Sequence, residues 1–385
     1  MISYGRQDIS QQDIDAVVEV LRSDFLTQGP KVPEFEQQVA RYCGAGHGVA
    51  VNSATSALHI ACMALGIESG DIVWTSSNTF VASANCARYC GADVDFVDID
   101  PLTWNLCPDR LAKKLDEAEK SNRLPKVVIP VHLCGQSCDM AAIHALAQRY
   151  RFRIIEDASH AIGGLYRDQP VGNCRYSDIT VFSFHPVKII TTAEGGMAMT
   201  NSEELATHMT RLRTHGITRD SEQMKQKPIG SWYYEQLELG FNYRMTDLQA
   251  ALGISQFSRL NQFVERRNFL ATRYDKFLNE LPVKRPSLIE HAYSSWHLYP
   301  VRLQLENTQR SHREVFEGMR AAGIGVNVHY IPVHLQPYYQ ELGFREKMFP
   351  MAEAYGRDAI SLPMFPLLSD EEQVYVVNTL AELLA

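Results

Sequence analysis

"TVFSFHPVKIITTAEGG", residues 180–196, sets a single lysine, Lys188, between an apolar β-branched run and a stretch of Thr, Ala and Gly. The run before it reads as a buried strand, and the run after it as a tight turn that glycine permits. A surface lysine suits a helix face or an edge strand better. Either Lys188 belongs to an ordinary loop, or a pocket requires an amine there.

Outward from this stretch, strand-like and helix-like runs alternate from about residue 32 to residue 215. "HGVAVNS", "DIVWTSS", "DVDFVDID", "KVVIPVHL", "FRIIEDAS", "DITVFSF" and "GGMAMTN" read as strands. Between them "VPEFEQQVARYCG", "SATSALHIACMALGI", "TFVASANCARYCG", "RLAKKLDEAEK" and "MAAIHALAQRYR" carry helical spacing. Short uninterrupted apolar strands separated by helices predict an α/β domain, a mostly parallel seven-stranded sheet sandwiched by helices. In such sheets ligands gather at the carboxyl ends of the strands. The large domain is expected over residues 1–250. From there "SQFSRLNQFVERRNFLATRYDKFLNEL" reads as one long connecting helix into a smaller α+β domain, 251–385, which ends in the helix "DEEQVYVVNTLAELLA".

The chain has 385 residues, 45% of them hydrophobic, and a formal net charge of −8. That balance argues against nucleic-acid or anionic-membrane partners, so an anionic ligand has to be captured locally. No apolar run approaches the roughly 20 residues of a membrane span, and "MISYGRQDIS" has no signal-peptide pattern, so a cytoplasmic location is expected. The eight cysteines include the spacings Cys86/Cys90 and Cys134/Cys138, which are not zinc-knuckle spacings; reduced thiols and no metal are expected.

Four strand ends carry candidate chemistry. Ser53, Ala54, Thr55 and Ser56 open a helix directly after a strand, where free N–H groups suit a phosphate, although capping by Ser53 or Thr55 explains them equally well. Phe80 begins another helix and suits either ring stacking or the core. Asp157 ends an apolar strand and needs a cationic partner or a helix to cap. Ser183 and Lys188 complete the set. A phosphate cradle, an aromatic, a carboxylate and an amine are together what pyridoxal phosphate requires.

"IIEDASHAIGG", "FSFHPVKIITTAEGGM", "GFNYRMTDLQAALG" and "HYIPVHLQPYY" occur in the order of the DegT/StrS sugar aminotransferases, pyridoxal-phosphate enzymes of fold type I, and the chain resembles that family over nearly its whole length. The resemblance implies that Lys188 is the Schiff-base lysine and that Asp157 pairs with the pyridine nitrogen. It implies that Ala54, Thr55 and Ser183 bind the phosphate, that Phe80 stacks on the ring, and that His160 neighbours the cofactor phenolate. Asn242 would reach the phosphate of the neighbouring subunit in a homodimer. Ala193 stands where the family often has Gly, and Ile189 where Pro is expected. Lysine at 188 sets the chain apart from the family's dehydratases, which carry His there.

Within the family the N-terminal segment 1–30 resembles the substrate side, most closely that of the transaminase making UDP-4-amino-4,6-dideoxy-N-acetyl-β-L-altrosamine in pseudaminic acid synthesis. By that resemblance Tyr4, Leu26, Thr27, Gln28 and Gly29 would line the nucleotide-sugar site, with His329 and Tyr330 arriving from the partner subunit. For Tyr4 and His329, ordinary packing roles stay open. The substrates implied are glutamate and a UDP-linked 4-keto-6-deoxy sugar. Another keto sugar aminated at C3 or C4, a non-sugar reaction, and a non-catalytic regulatory relative remain as alternatives.

Overall fold

The protein is described over residues 1–385 by a computed structural model. Its central sheet is formed by β1 (His47–Val51), β2 (Ile72–Ser76), β3 (Asp93–Val97), β4 (Val127–Ile129), β5 (Arg153–Asp157), β6 (Ile179–Ser183) and β7 (Gly196–Thr200). These seven strands lie in the order β1-β7-β6-β5-β4-β2-β3. Only β7 runs antiparallel to its neighbours, β1 and β6. The remaining pairings are parallel. The seven apolar runs of the sequence are these seven strands.

Alternation along each strand assigns the two faces. Val49, Val51, Val127, Ile129 and Ile155 pack with helices Ala54–Ala64, Ala82–Tyr89 and Glu203–Leu212. Val128 and Ile154 point the other way, into a core shared with helices Pro108–Lys120 and Met140–Tyr150. Ala50 and Phe182 meet helix Lys31–Cys43 on that same side. Both faces are therefore covered, as a parallel sheet requires.

A second, antiparallel sheet is built from β8 (Val283–Lys284), β9 (Tyr299–Leu303) and β10 (Ala359–Leu362), with β9 in the middle. Tyr274, Tyr299, Val301, Val315, Ile360, Val376 and Leu380 form its core with helices Leu260–Phe277, His312–Ala321 and Asp370–Leu384. A capping box of Ser369 and Glu372 starts the last of these helices.

Three features depart from the sequence expectation. The long connecting helix is two helices, Asp247–Phe257 and Leu260–Phe277. At the break the Ser258 hydroxyl donates to the Ser255 carbonyl, and Arg259 turns out to bond Asp13 at 2.6 Å. The first residues do not stay with the large sheet: Ile2 bridges Ile324, and Met364 N–H donates to the Tyr4 carbonyl. Conversely, Ala292–Tyr293 pairs with Leu165–Tyr166, so a strand from the C-terminal third belongs beside the first core.

Ala193 has φ of 65°, in the left-handed region. An L-residue pays about 1–2 kcal/mol there, of which glycine's greater freedom in the unfolded chain returns a part. Ala193→Gly is therefore expected to stabilise the protein by about 0.5–1 kcal/mol, read as a higher urea midpoint by circular dichroism. An unchanged or lower midpoint would show that the turn is not strained by its side chain.

Candidate active site

Four strand ends converge on one cavity of about 470 Å³. At the end of β1, Ser53 caps helix Ala54–Ala64 by accepting from Ser56 N–H at 3.1 Å. The cap uses Ser53, which leaves the N–H groups of Ala54 and Thr55 at the helix start without a partner in the chain. Gly196, at the start of β7, lies so close that a Cβ on it would meet Ala54 N at 2.5 Å. Ser183, at the end of β6, lines the same space. Two free amides, a hydroxyl and a bare glycine backbone make an anion cradle at a helix N-terminus.

Asp157 ends β5 and is 5% exposed. Its Oδ2 accepts from the Ser83 hydroxyl at 2.6 Å and its Oδ1 from Ser159 N–H at 3.1 Å. The two bonds fix the carboxylate plane at the mouth of the sheet. Lys188 sits half-buried in the turn after β6, its N–H donating to the His185 carbonyl. Burial pulls its ammonium down to about 8, against the opposing charge of Asp157. A lysine so placed is substantially neutral near pH 8, whereas an exposed one is not.

His160 is buried, and its Nδ1 accepts from Cys134 N–H at 3.2 Å. Burial, reinforced by Lys188 and His329, holds the imidazole well below its usual range, so the ring is neutral and its one proton sits on Nε2. That proton is donated to Tyr330 Oη at 3.2 Å, which leaves the Tyr330 hydroxyl proton for an acceptor in the cavity. Tyr330 is held from behind by Asn78 Oδ1, which accepts from its backbone N–H. Its ring lies 6.0 Å from that of Phe80, which is 56% exposed and faces the cavity.

Tyr4, Ala54, Thr55, Phe80, Asp157, His160, Ser183, Lys188, His329 and Tyr330 thus line one cavity of one chain. This corrects the expectation that His329 and Tyr330 arrive from a partner subunit. His329 is anchored to β10 of its own chain through Ser361 Oγ at 2.8 Å, and Asn327 pairs with Ser361. With Asn327 Nδ2 at its Nε2, His329 is bonded on both nitrogens, as an ordinary packed histidine would be. Leu26, Thr27, Gln28 and Gly29 do not line this cavity. Thr27 bridges Thr246 and Gly29 N–H donates to Asp247, which tie the segment to another helix start. Asn242 is exposed on that same side, bridged to Thr214.

Sequence reasoning missed Ser83, Asn78, Asn327 and His297. His297 packs its ring 4.4 Å from that of His160 and has no partner at Nδ1. Ser83 had a signal: a polar residue in the first turn of an apolar helix, after the strand neighbouring β4. The other three depend on contacts across the chain.

The chain carries what pyridoxal phosphate needs. The cradle at Ala54, Thr55 and Ser183 fits the phosphate, the buried carboxylate of Asp157 fits a pyridinium, and the depressed amine of Lys188 fits an aldehyde. Fold and site define an aminotransferase of the fold-type I class. The chain belongs to the DegT/DnrJ/EryC1/StrS aminotransferase family, whose model matches residues 7–381. It is 39% identical to the spore coat polysaccharide biosynthesis protein SpsC of Bacillus subtilis, over 99% of this chain and 97% of that protein. It is 38% identical to the UDP-4-amino-4,6-dideoxy-N-acetyl-beta-L-altrosamine transaminase of Campylobacter jejuni, over 100% of this chain and 98% of the relative. Among solved structures, the PMP form of Spr1654 from Streptococcus pneumoniae superposes with a TM-score of 0.90 at 32% identity, covering 100% of this chain and 99% of that one. Spr1654 is also known in a PLP form. The protein is a sugar aminotransferase of this family with pyridoxal phosphate as cofactor.

Two outcomes follow from the geometry. Gly196→Ala is expected to weaken binding of pyridoxal phosphate at least about tenfold while leaving pyridoxal, which lacks the phosphate, nearly unaffected. Equal loss for both would place the phosphate elsewhere. In the cofactor-free protein, the rate of covalent capture of the aldehyde should rise with pH around a midpoint near 8. A midpoint above 10 would mean an ordinary lysine.

Proposed function

We propose that the enzyme moves an amino group from glutamate to the C4 ketone of a UDP-linked 4-keto-6-deoxy-N-acetylhexosamine, a step of the pseudaminic acid type. The observation that carries this reading is the full-length match to the Campylobacter jejuni transaminase, whose name specifies a UDP-linked 4-amino-4,6-dideoxy sugar. Pyridoxal phosphate, when bound, supplies an aldehyde that carries the amine and an electron-poor ring that takes up charge from the carbon losing its proton.

The chain's own residues do the rest. Lys188 Nζ, its ammonium pulled down to about 8 by burial, takes a proton from the donor's carbon in its neutral form and returns one to the sugar carbon. Because its neutral form grows as pH rises through about 8, the proton-abstracting step should quicken between pH 7 and pH 9. Asp157, oriented by Ser83 and Ser159, would pair with the ring nitrogen of the bound cofactor. Tyr330, aimed by His160, donates its hydroxyl proton to an oxygen of the sugar. Tyr4, 5.4 Å from the His329 ring, closes the substrate side.

The working unit in this reading is a cytoplasmic homodimer. Asn242 and Leu26–Gly29 lie on one side of the chain, away from its own cavity, and would serve the neighbour's site together. The exposed Ile229, Trp232 and Leu239 in the adjoining segment suit burial against a second copy.

A second reading has its own support. The match to SpsC, a polysaccharide biosynthesis protein, is at 39% identity against 38% for the altrosamine transaminase, so a different nucleotide keto sugar is its alternative. Incubation with glutamate and either the UDP-linked 4-keto sugar or a thymidine-diphosphate 4-keto sugar, followed by mass spectrometry, separates the two. The proposal expects an amino sugar from the UDP substrate at least about tenfold faster. The reverse preference overturns it. Tyr330→Phe is expected to lower kcat/KM for the sugar by about 10²-fold while sparing the half-reaction with glutamate; an equal effect on both halves would contradict the assignment.

A further inference from the structure

Three buried histidines line the cavity: His160, His297 and His329. The chain engages both ring nitrogens of two of them. His160 accepts from Cys134 N–H and donates to Tyr330 Oη, and His329 lies between Ser361 Oγ and Asn327 Nδ2. His297 differs. It is 3% exposed, and its Nδ1 is buried without a hydrogen-bond partner. Packing alone would favour an apolar ring at such a place, because a buried polar atom left unpaired costs stability.

The ring is nevertheless held in place. Arg267, wholly buried, donates Nη1 to the carbonyls of Trp296, His297 and Met364 at 3.1, 3.1 and 2.9 Å. Ser295 Oγ donates to the His160 carbonyl at 2.9 Å. Gly135 lets this segment approach, since a Cβ there would meet Trp296 N at 2.7 Å and His297 N at 3.0 Å. The His297 ring then lies 4.4 Å from that of His160, tilted 54° to it. Burial, reinforced by the charge of Lys188, holds the imidazole well below its usual range, so it carries one proton. On Nδ1 that proton would have no acceptor, whereas on Nε2 it can be donated to a molecule in the cavity.

We propose that His297 is a ligand-contacting residue of this site, donating its Nε2 proton to an anionic oxygen of the bound molecule. That oxygen belongs to the cofactor ring or to the carboxylate of the amino donor. No arginine lines the cavity, so a carboxylate entering it depends on neutral donors of this kind. The inference rests on the aminotransferase reading but not on which sugar is used.

The experiment compares His297→Phe, which keeps a ring against His160 and removes both nitrogens, with His297→Gln, which restores an N–H. Three quantities are read: the melting midpoint of the cofactor-free protein, its affinity for pyridoxal phosphate, and kcat and KM of the half-reaction with glutamate. The Phe variant should melt no lower than wild type, because the orphaned nitrogen is gone. A loss of at least about tenfold in pyridoxal phosphate affinity, partly recovered by Gln, assigns the oxygen to the cofactor. Unchanged affinity with a KM for glutamate raised at least about tenfold, again recovered by Gln, assigns it to the donor. Affinity and KM both within about twofold of wild type in the Phe variant, or equal losses in Phe and Gln, would overturn the proposal. Nitrogen NMR of isotope-labelled histidine in the wild-type protein decides even where a variant fails to fold: a His297 ring protonated on Nδ1 would contradict it. A wild-type protein that does not react with glutamate overturns the donor assignment alone, and the cofactor affinity and the NMR then decide the role of His297.

Discussion

The buried carboxylate of Asp157 constrains everything around it. An ionised group left alone in such a place costs several kcal/mol, so the surrounding elements have to supply partners. The pairing of β5 with β6 sets Asp157 opposite Val181, which places Ser183 two residues on at the same end of the sheet. The next helix in the layer brings Ser83 to one oxygen, and the turn after β5 brings Ser159 N–H to the other. Lys188 then sees a fixed negative charge that partly offsets the burial of its own ammonium. Its ammonium is held down because burial prevails over that attraction.

A second constraint is steric. β7 is the antiparallel strand of the sheet, and it returns beside the start of helix Ala54–Ala64 so closely that only glycine fits at 196. The close approach leaves the first amides of that helix facing the cavity. Around this rigid floor the other wall comes from the C-terminal part of the chain, through Asn327, His329 and Tyr330, pinned by Ser361 and Asn78. The cavity is thus a joint between two cores, and on its wall the Tyr330 hydroxyl is oriented by a buried, neutral histidine.

Much of this was legible in the sequence because it is local. Apolar runs with turn residues at each end became the seven strands, and the residues that follow them became the floor of the site. What escaped was set by distance along the chain. Nothing near Tyr330 indicates that its N–H will find Asn78, and nothing near Ile2 indicates that it will bridge Ile324. The periodicity across residues 255–281 is continuous, yet Ser258 and the pull of Asp13 on Arg259 divide it. Asn242 and Leu26–Gly29 were recognised by resemblance, and a single chain leaves them outside its own cavity.

The central claim is that Lys188 holds the cofactor. The most direct measurement is borohydride reduction of the purified holoenzyme followed by peptide mapping. A pyridoxyl group on Lys188, in the peptide spanning "FSFHPVK", with loss of the visible absorbance band, is the result this account predicts. A label on another lysine, or a protein that takes up pyridoxal phosphate without any reducible link, would contradict it.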